Sequence, residues 1–190
     1  MKKNWIARKQ EGVSGRVDGT NGNDRFDGDL NGAVRDVYDG RGGHDLISGY
    51  DDNDQLSGGG GNDTIYGGRG RDEISGGAGN DTLWAGMHED VVKGGGGADV
   101  FVFEAWRDDE EFWGSGLDII ADFNPREKGE LISIRTAHYD GIATFADLKT
   151  RMVQDGDNVN MQFDGGLAFL VLEDVRIGQL RADDFHIYFG

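Results

Sequence analysis

The chain has 190 residues, of which 34 are glycine, one is proline and none is cysteine, and its formal net charge is −17. Glycine far exceeds its usual share of about 7%, as in many disordered chains, but 36% of the residues are hydrophobic and can supply a core. Collagen is excluded because glycine does not occupy every third position. The charge disfavours nucleic acid and anionic membranes as partners and favours cations. Without cysteine, neither a disulfide framework nor a thiolate metal site can form.

The amino-terminal segment, residues 1–17, is basic, with five basic residues against Glu11 alone. Its longest apolar run, residues 5–7, is shorter than the stretch of about 7–15 residues that a secretory signal requires. No run in the chain approaches the roughly 18 apolar residues of a membrane-spanning helix. The sequence therefore predicts no membrane span and no amino-terminal secretion signal, so that any export takes another route.

Residues 18–102 contain a nine-residue repeat, of which residues 58–66 (GGGGNDTIY) are a full unit. Each unit has an aspartate at its sixth position and an apolar residue two positions later. Seven of the aspartates follow one another at steps of nine, and an insertion between residues 28 and 35 separates the two that precede them. The repeated aspartates are Asp24, Asp36, Asp45, Asp54, Asp63, Asp72, Asp81, Asp90 and Asp99.

The repeat predicts a solenoid. Each unit is expected to form a turn of about six residues and a strand of about three, such as residues 64–66. Only the middle residue of that strand, here Ile65, points inward, because alternate side chains of a strand face opposite sides. A single unit has too thin a core to fold alone, whereas units stacked at about 4.8 Å form a continuous one. Asp52 and His88 replace glycine at the fourth position, and both residue types tolerate the left-handed backbone that this turn requires.

The aspartates predict a metal site. With two units per coil, they form one row of Asp45, Asp63, Asp81 and Asp99 and another of Asp36, Asp54, Asp72 and Asp90. Carboxylates about 5 Å apart repel each other by around 1 kcal/mol even in water. A hard cation between turns would remove that repulsion, and calcium accepts six to eight oxygen ligands more readily than magnesium does. The alternative is a calcium-free linker rich in glycine and aspartate, which would need neither the regular spacing nor the inward apolar residue.

Residues 58–66 and their neighbours resemble the nonapeptide of the RTX (hemolysin-type calcium-binding) proteins. The resemblance implies an all-β fold, a right-handed parallel β-roll, with up to about seven calcium ions. It further implies that each ion is held by the aspartates of two stacked turns, by first- and third-position carbonyls of one turn and by second- and fourth-position carbonyls of the other. The carbonyls belong to Gly40, Gly42, Gly58, Gly59, Gly60, Gly61, Gly67, Gly68, Arg69, Gly70, Gly76, Gly77, Ala78, Gly79, Gly94, Gly95 and Gly97.

Residues 103–190 predict a cap on the roll. Residues 118–123 and 130–134 are expected to be short strands, and they resemble, more weakly, the segment that caps RTX rolls in secreted proteases and alginate epimerases. Thr144 is a suitable N-cap for a short helix with Phe145, Leu148 and Met152 on one face.

The rest of this segment predicts further strands. A turn at Asp155 and Gly156 leads to a hairpin of residues 159–163 and 168–172 around Gly165 and Gly166, and residues 185–189 form the last strand. We therefore expect a β-sandwich-like cap, continuous with the roll, that covers its end.

The last eight residues, 183–190, are acidic and then apolar. They resemble the carboxy-terminal export signal of type I secretion substrates, which implies a secreted, extracellular protein and the type I secretion apparatus as a partner. An ordinary edge strand fits the same residues.

Enzyme signatures are missing from the sequence. It contains no His-Glu-x-x-His motif of the metalloproteases and no Gly-x-Ser-x-Gly motif, since Ser115 lies outside such a pattern. The histidines, at 44, 88, 138 and 186, are scattered, and the acidic run 108–111 is typical of a solvated loop. These observations predict that the chain has no catalytic activity of its own.

Tyr66 and Trp84 are a candidate ligand face. Both lie at the ninth position of alternate units, so their side chains should be neighbours on the outside of one sheet. They could stack against a sugar or dock a protein, or the cap or the amino-terminal segment could cover them.

Three hypotheses remain open from the sequence. The first is a secreted calcium-binding RTX module that folds on binding calcium outside the cell. The second is an accessory module of a larger RTX enzyme, such as an alginate epimerase, a lyase or a protease. The third is a carbohydrate-binding or adhesive module, with polysaccharide as a further partner.

Overall fold

A computed structural model describes residues 4–5, 15–28, 35–105, 116–136, 141–163 and 168–189. In chain order its strands are β1 (Asn4–Trp5), β2 (Gly15–Asp18), β3 (Asp24–Asp27), β4 (Asp36–Asp39), β5 (Leu46–Asp51), β6 (Gln55–Gly60), β7 (Thr64–Arg69), β8 (Glu73–Ala78), β9 (Thr82–Met87), β10 (Val91–Gly96), β11 (Val100–Ala105), β12 (Leu117–Ile120), β13 (Leu131–Thr136), β14 (Met152–Asp155), β15 (Asn158–Phe163), β16 (Ala168–Leu172) and β17 (Phe185–Phe189). Within these described residues, one helix, α1 (Phe145–Lys149), and two 3₁₀ turns, Ile177–Gln179 and Ala182–Asp184, complete the elements.

The strands alternate between two sheets. The first sheet has the order β1-β3-β5-β7-β9-β11-β13-β17 and the second the order β14-β15-β16-β12-β10-β8-β6-β4-β2. Within the repeats all pairs are parallel, and Ile65 pairs with Ile47 on one side and with Leu83 on the other. Two units therefore make one coil, and the prediction of a parallel β-roll is confirmed.

The core of the roll is two facing columns of side chains, one from each sheet. The residues in these columns are at most 3% exposed, as expected for side chains that alternate with outward ones along each strand. The first sheet contributes Phe26, Ile47, Ile65, Leu83, Phe101 and Ile132, and the second contributes Tyr38, Leu56, Ile74, Val92 and Ile120.

The strands of the repeats are longer than the three residues that the sequence predicts. In β6 the ladder continues through the glycines, because Gly60 donates its N–H to Arg41 O (2.9 Å) and accepts at its carbonyl from Gly43 N (2.7 Å). Residues without a Cβ let successive coils approach closely enough for their backbones to pair in the turn as well as in the strand.

Four non-glycine residues adopt the left-handed backbone that glycine usually supplies in these turns. Asp52 (φ 82°) and His88 (φ 84°) do so at the fourth position, as the sequence predicts. Arg41 (φ 67°) and Tyr50 (φ 76°) do so at the second position, which the sequence analysis did not anticipate.

The cap continues both sheets of the roll. β13 and β17 extend the first sheet, and β12 and β16 extend the second, all with parallel pairing. β14, β15 and β16 are antiparallel neighbours, with Gly156 (φ 62°) in the turn between β14 and β15. β11 runs on to Ala105, so the strand crosses the boundary predicted at residues 102 and 103 without a break.

The helix α1 begins as predicted but is shorter. Thr144 is its N-cap and forms a capping box with Asp147. Met152, expected on the helix face, is instead the first residue of β14. The helix ends before it because the Thr150 hydroxyl and N–H donate to Asp147 O (2.6 and 3.0 Å), which closes the last turn.

Several sequence predictions lie outside the described residues. They concern most of the basic segment 1–17, the insertion between residues 28 and 35, the acidic run 108–111, Ser115, His138, and Gly165 with Gly166. In the described part of the chain, α1 and the 3₁₀ turns are far too short to cross a bilayer.

Candidate metal-binding site

The repeated aspartates lie in two rows, one along each turn edge of the roll. The first row is Asp24, Asp45, Asp63, Asp81 and Asp99, and the second is Asp36, Asp54, Asp72 and Asp90. Each of these side chains is at most 4% exposed. Burial of nine carboxyl groups in one short solenoid requires a partner for them, because an unpaired charge is costly to remove from water.

One carboxylate oxygen in each pair is accounted for by the backbone. Oδ1 of Asp63 accepts the N–H of Asp45 (2.8 Å), and Oδ1 of Asp81 accepts the N–H of Asp63 (2.8 Å). The same bond recurs along both rows at 2.7–2.9 Å. The coil that precedes each accepting aspartate therefore fixes the orientation of its carboxylate.

The other oxygen, Oδ2, has no partner in six of these aspartates: Asp45, Asp54, Asp63, Asp72, Asp81 and Asp90. In the first five of these it points at the first-position glycine of its own unit, whereas the unit of Asp90 has Ala85 at that position. A Cβ added to Gly58 would collide with Asp63 Oδ2 and would lie 2.7 Å from Gly76 O in the next coil. The orphaned oxygen of Asp63 and the Gly76 carbonyl thus face one small space that a side chain at position 58 would fill.

The same arrangement repeats along the rows. A Cβ on Gly40, Gly49 or Gly67 would also meet the aspartate Oδ2 of its own unit and a carbonyl oxygen of the next coil. For Gly67 the two oxygens are Asp72 Oδ2, at 2.6 Å, and Ala85 O. Gly76 and Gly94 likewise face Asp81 Oδ2 and Asp99 Oδ2.

Burial raises the pKa of seven aspartates of the two rows. It brings the pKa of Asp45, Asp54, Asp72 and Asp90 to about 7 and that of Asp81 to about 6, and it also raises the pKa of Asp63 and Asp99. The hydrogen bond from the preceding coil opposes the shift in each case. Without a cation, the folded rows therefore retain protons that exposed carboxyl groups release.

A hard cation fits these spaces. Among the described residues, no three side chains of histidine, cysteine, aspartate or glutamate are close enough to hold a metal by themselves. A metal must therefore take most of its ligands from backbone carbonyls, with one or two carboxylate oxygens. Such an all-oxygen, carbonyl-rich set suits calcium, which tolerates irregular coordination better than magnesium does.

The predicted carbonyl ligands divide by position. The first-position glycines Gly40, Gly58, Gly67, Gly76 and Gly94 border the spaces just described. Second- and fourth-position glycines, such as Gly59 (φ 97°) and Gly61 (φ 120°), have positive φ and touch backbone of the preceding coil. This holds for Gly59, Gly68, Gly77 and Gly95 and for Gly61, Gly70, Gly79 and Gly97.

The third-position carbonyls are partly occupied. Those of Gly60 and Ala78 each accept one N–H, from Gly43 and Gly61 (2.7 Å each). A carbonyl oxygen has two lone pairs, so one remains for a metal. Arg69, at the same position, pairs with Met87 in the next coil, and Gly42 donates to Thr20 O (3.2 Å).

Three first-position glycines and a second ladder of hydrogen bonds were not predicted from the sequence. Gly19, Gly28 and Gly49 occupy the same place as Gly58 relative to their aspartates, and five-residue spacing from the aspartate could have found Gly19 and Gly49. At the fifth position, side chains accept the N–H of the fifth residue in the next coil, as Asn62 Oδ1 does from Asn80 (3.0 Å). This ladder comprises Asn23, His44, Asn62 and Asn80, with Asn53 in the other row.

Two cap carboxyl groups continue the rows. Asp118 (1% exposed) accepts the N–H of Asp90 at Oδ1 (3.2 Å), as the repeat aspartates do with one another. Glu130 (7% exposed) immediately precedes Leu131, which pairs with Val100, and burial raises its pKa to about 7. Each stands two residues before an inward side chain, Ile120 or Ile132, which is the spacing of the repeat itself.

The remaining candidates lie away from the rows' interior. His44 and His88 accept backbone N–H groups of neighbouring turns at Nδ1, and His186 stacks on Tyr188 in the cap. Tyr66 and Trp84 are neighbours on the outer face of the first sheet, with ring centroids 4.5 Å apart and planes inclined by 20°.

Comparison with known proteins identifies the repeats. The family model described as RTX calcium-binding nonapeptide repeat (4 copies) matches residues 32–65, 39–74 and 66–101. No curated protein matches the chain in sequence. The crystal structure of the extracellular lipase LipA from Serratia marcescens is similar to 97% of this chain and 42% of its own, at 17% identity and a TM-score of 0.42. The chain thus spans less than half the length of that lipase. Residues 32–101, with their two buried rows of aspartates, thus carry RTX calcium-binding nonapeptide repeats.

Proposed function

We propose that this chain is a calcium-binding module that folds around several calcium ions outside the cell and has no catalysis of its own. One observation carries the proposal: six buried Oδ2 atoms have no partner at regular spacing, and five of them, those of Asp45, Asp54, Asp63, Asp72 and Asp81, face a backbone carbonyl of the next coil. An ion between two coils would bind the carboxylate and the carbonyl together and so join the coils. The aspartates of the rows and the glycine carbonyls that border them would supply the ligands.

Calcium concentration would decide whether the rows can form. Extracellular calcium modules bind with dissociation constants of about 10⁻⁴–10⁻³ M, so cytosolic calcium would leave such sites empty. Each site exposed to ten times its dissociation constant would add about 1.4 kcal/mol to the free energy of unfolding. Several sites together would convert an unfavourable fold, with buried unpaired carboxylates, into a stable one.

Circular dichroism during a calcium titration tests this function. We expect weak β signal in EDTA and a cooperative gain of β signal at millimolar calcium. An identical β spectrum in EDTA and in calcium would contradict the proposal.

A matched pair of variants locates the effect in the rows. Asp63→Asn keeps the acceptor for the Asp45 N–H but removes the charge that faces the Gly76 carbonyl. We expect it to need more calcium than the wild type, with at least one ion fewer bound. Asp155→Asn alters an exposed carboxylate in the β14–β15 hairpin and should titrate like the wild type. Equal calcium dependence of the two variants would argue against the rows as the binding site.

We propose export through a type I route, with folding after release. This proposal is supported by the resemblance of residues 183–190 to such signals. In the folded chain, residues 185–189 are β17, which pairs with β13 at the edge of the first sheet. The export apparatus would therefore have to read these residues before the roll folds, which low cytosolic calcium would permit.

The Tyr66 and Trp84 face supports a second candidate function, an accessory polysaccharide-binding module of a larger RTX enzyme. Tyr66 is 38% exposed, and its ring lies against that of Trp84. Beside the rings, in the same two strands, Gly68 pairs with Gly86, so that the sheet presents only backbone there. Paired aromatic rings beside an open backbone surface can stack on a sugar ring while the backbone accepts or donates hydrogen bonds.

The double variant Tyr66→Ser, Trp84→Ser tests this face. Binding to alginate and to a neutral glucan is measured by affinity electrophoresis in calcium, with circular dichroism as the folding control. An aromatic contact contributes about 0.5–1.5 kcal/mol, so loss of both rings should weaken binding about tenfold or more with folding intact. If the double variant failed to fold, the rings would serve packing and not ligand binding. Separately, an in-frame coding region upstream of Met1 would favour the accessory role.

A further inference from the structure

Tyr38 is the one residue with a hydroxyl in the two inward columns of the described repeats. Its counterparts in the second sheet are Leu56, Ile74 and Val92. The ring fits the column, since it stacks on Phe26 with centroids 4.4 Å apart and planes 19° apart. The hydroxyl group does not suit this apolar column, because Tyr38 is only 1% exposed and its oxygen has no hydrogen-bond partner. Buried tyrosine hydroxyls normally have one, so this oxygen requires an explanation.

The hydroxyl points at the first of the spaces beside the aspartate rows. A Cβ added to Gly19 would lie 2.6 Å from Gly40 O, 2.8 Å from the Tyr38 hydroxyl oxygen and 3.0 Å from Asp24 Oδ2. Three oxygens from three different strands or turns therefore surround one point. Gly19 itself has no positive φ, so the space above it, and not its backbone conformation, is what excludes a side chain.

Two of the later coils have carbon where the first coil has this oxygen. At Gly67, the third neighbour of the added Cβ is Ile74 Cδ1 (3.0 Å), and at Gly94 the neighbours include Phe101 Cζ (2.8 Å). Both are inward side chains of the columns, as Tyr38 is. The first space thus has an oxygen-richer lining than those two, although it is built on the same plan.

The Tyr38 hydroxyl can serve as a neutral oxygen ligand of a metal ion. Burial and the nearby carboxylates of Asp45 and Asp24 raise the pKa of Tyr38, so the phenol keeps its proton at neutral pH. Asp24 already accepts from Thr20 N (2.6 Å) and from the Thr20 hydroxyl (3.0 Å to Oδ2). A hard cation accepts neutral oxygen ligands together with carboxylates, and it would give the phenol lone pairs a partner.

We propose that the Tyr38 hydroxyl oxygen is a ligand of a calcium ion bound between the turn that ends at Asp24 and the turn that ends at Asp45. This inference rests on the proposed calcium function and assigns to one of its sites a side chain from the core. The ion would connect Asp24, the Gly40 carbonyl and Tyr38, and so fix the Phe26–Tyr38 stack at the amino-terminal end of the roll.

Tyr38→Phe tests the proposal because it keeps the ring and removes only the oxygen. Bound calcium is counted by equilibrium dialysis, and affinities come from competition with a chromophoric chelator. We expect Tyr38→Phe to bind one ion fewer than the wild type, or one ion about tenfold more weakly. Tyr188→Phe, a tyrosine of the cap strand β17, is the matched control and should bind as the wild type does.

A second variant keeps the test decisive if Tyr38→Phe folds poorly. Gly19→Ala leaves Tyr38 in place and puts a methyl group 2.8 Å from its hydroxyl oxygen. It should lose the same ion, and the double variant should lose no more than one. Unchanged calcium number and affinity in both single variants would overturn the assignment. If the wild type itself bound no calcium, the proposed function would fail. That outcome differs from loss of an ion in the variants alone, so the two failures can be told apart.

Discussion

At the scale of single residues, the first-position glycines are required by space and not by backbone angle. Gly58 has no positive φ, so alanine could adopt its backbone conformation. Its added Cβ would nevertheless collide with Asp63 Oδ2 and lie 2.7 Å from Asp63 Cγ and Gly76 O. We expect Gly58→Ala to cost about 1–3 kcal/mol in calcium, as overpacking does, and to raise the calcium midpoint of folding. Chemical denaturation at fixed calcium measures the first effect, and a calcium titration followed by circular dichroism measures the second.

Gly96→Ala is the matched control for this prediction. Gly96 also lacks a positive φ, and an added Cβ there would meet no atom within 4 Å. We expect its free energy of unfolding to stay within about 0.5 kcal/mol of the wild type. If both alanine variants behaved alike, the space beside Asp63 would have no special role.

At the scale of elements, the repeat was predictable because a fixed period carries its own register. Nine-residue spacing placed Ile47, Ile65 and Leu83 in one inward column, and the structure pairs them as expected. Strand length was not predictable, because glycines such as Gly59 and Gly60 look like turn residues in sequence and still join the ladder. Whether glycine continues a strand depends on the neighbouring coil, which a single unit does not contain.

The cap elements show where periodic reasoning stops. The strands β12 and β13 were predicted, but not that Asp118 and Glu130 would continue the aspartate rows. The intervals between Asp90 and Asp118 (28 residues) and between Asp99 and Glu130 (31 residues) are not multiples of nine, so counting in nines from the repeats does not reach these residues. The local spacing to Ile120 and Ile132 is the only signal in the sequence. It becomes meaningful once the strands are known to stack on β10 and β11.

At the scale of the whole molecule, protons and calcium compete for the same buried oxygens. The pKa of an exposed aspartate is 3.8, and folding raises the pKa of Asp45, Asp54, Asp72 and Asp90 to about 7. Between these values the folded chain binds more protons than the unfolded chain. Its stability without metal therefore decreases as pH rises from about 4 to about 7. Hydrogen bonds from Arg16 and Thr144 lower the pKa of Asp18 and Asp147. These two groups make stability increase with pH, but only below that range.

The last prediction follows from this competition: acid should partly replace calcium. In EDTA, we expect the free energy of unfolding to be higher at about pH 5 than at about pH 7.5, because protonated carboxyl groups cost less to bury and repel one another less. In millimolar calcium the order should reverse, since protons then displace the ions that join the coils. Urea denaturation followed by circular dichroism at the two pH values, with and without calcium, gives all four free energies. Asp155→Asn should reproduce the wild-type pattern, because its side chain is exposed. A metal-free chain that was no more stable at pH 5 than at pH 7.5 would contradict the view that the rows are buried carboxylates that need a proton or a cation.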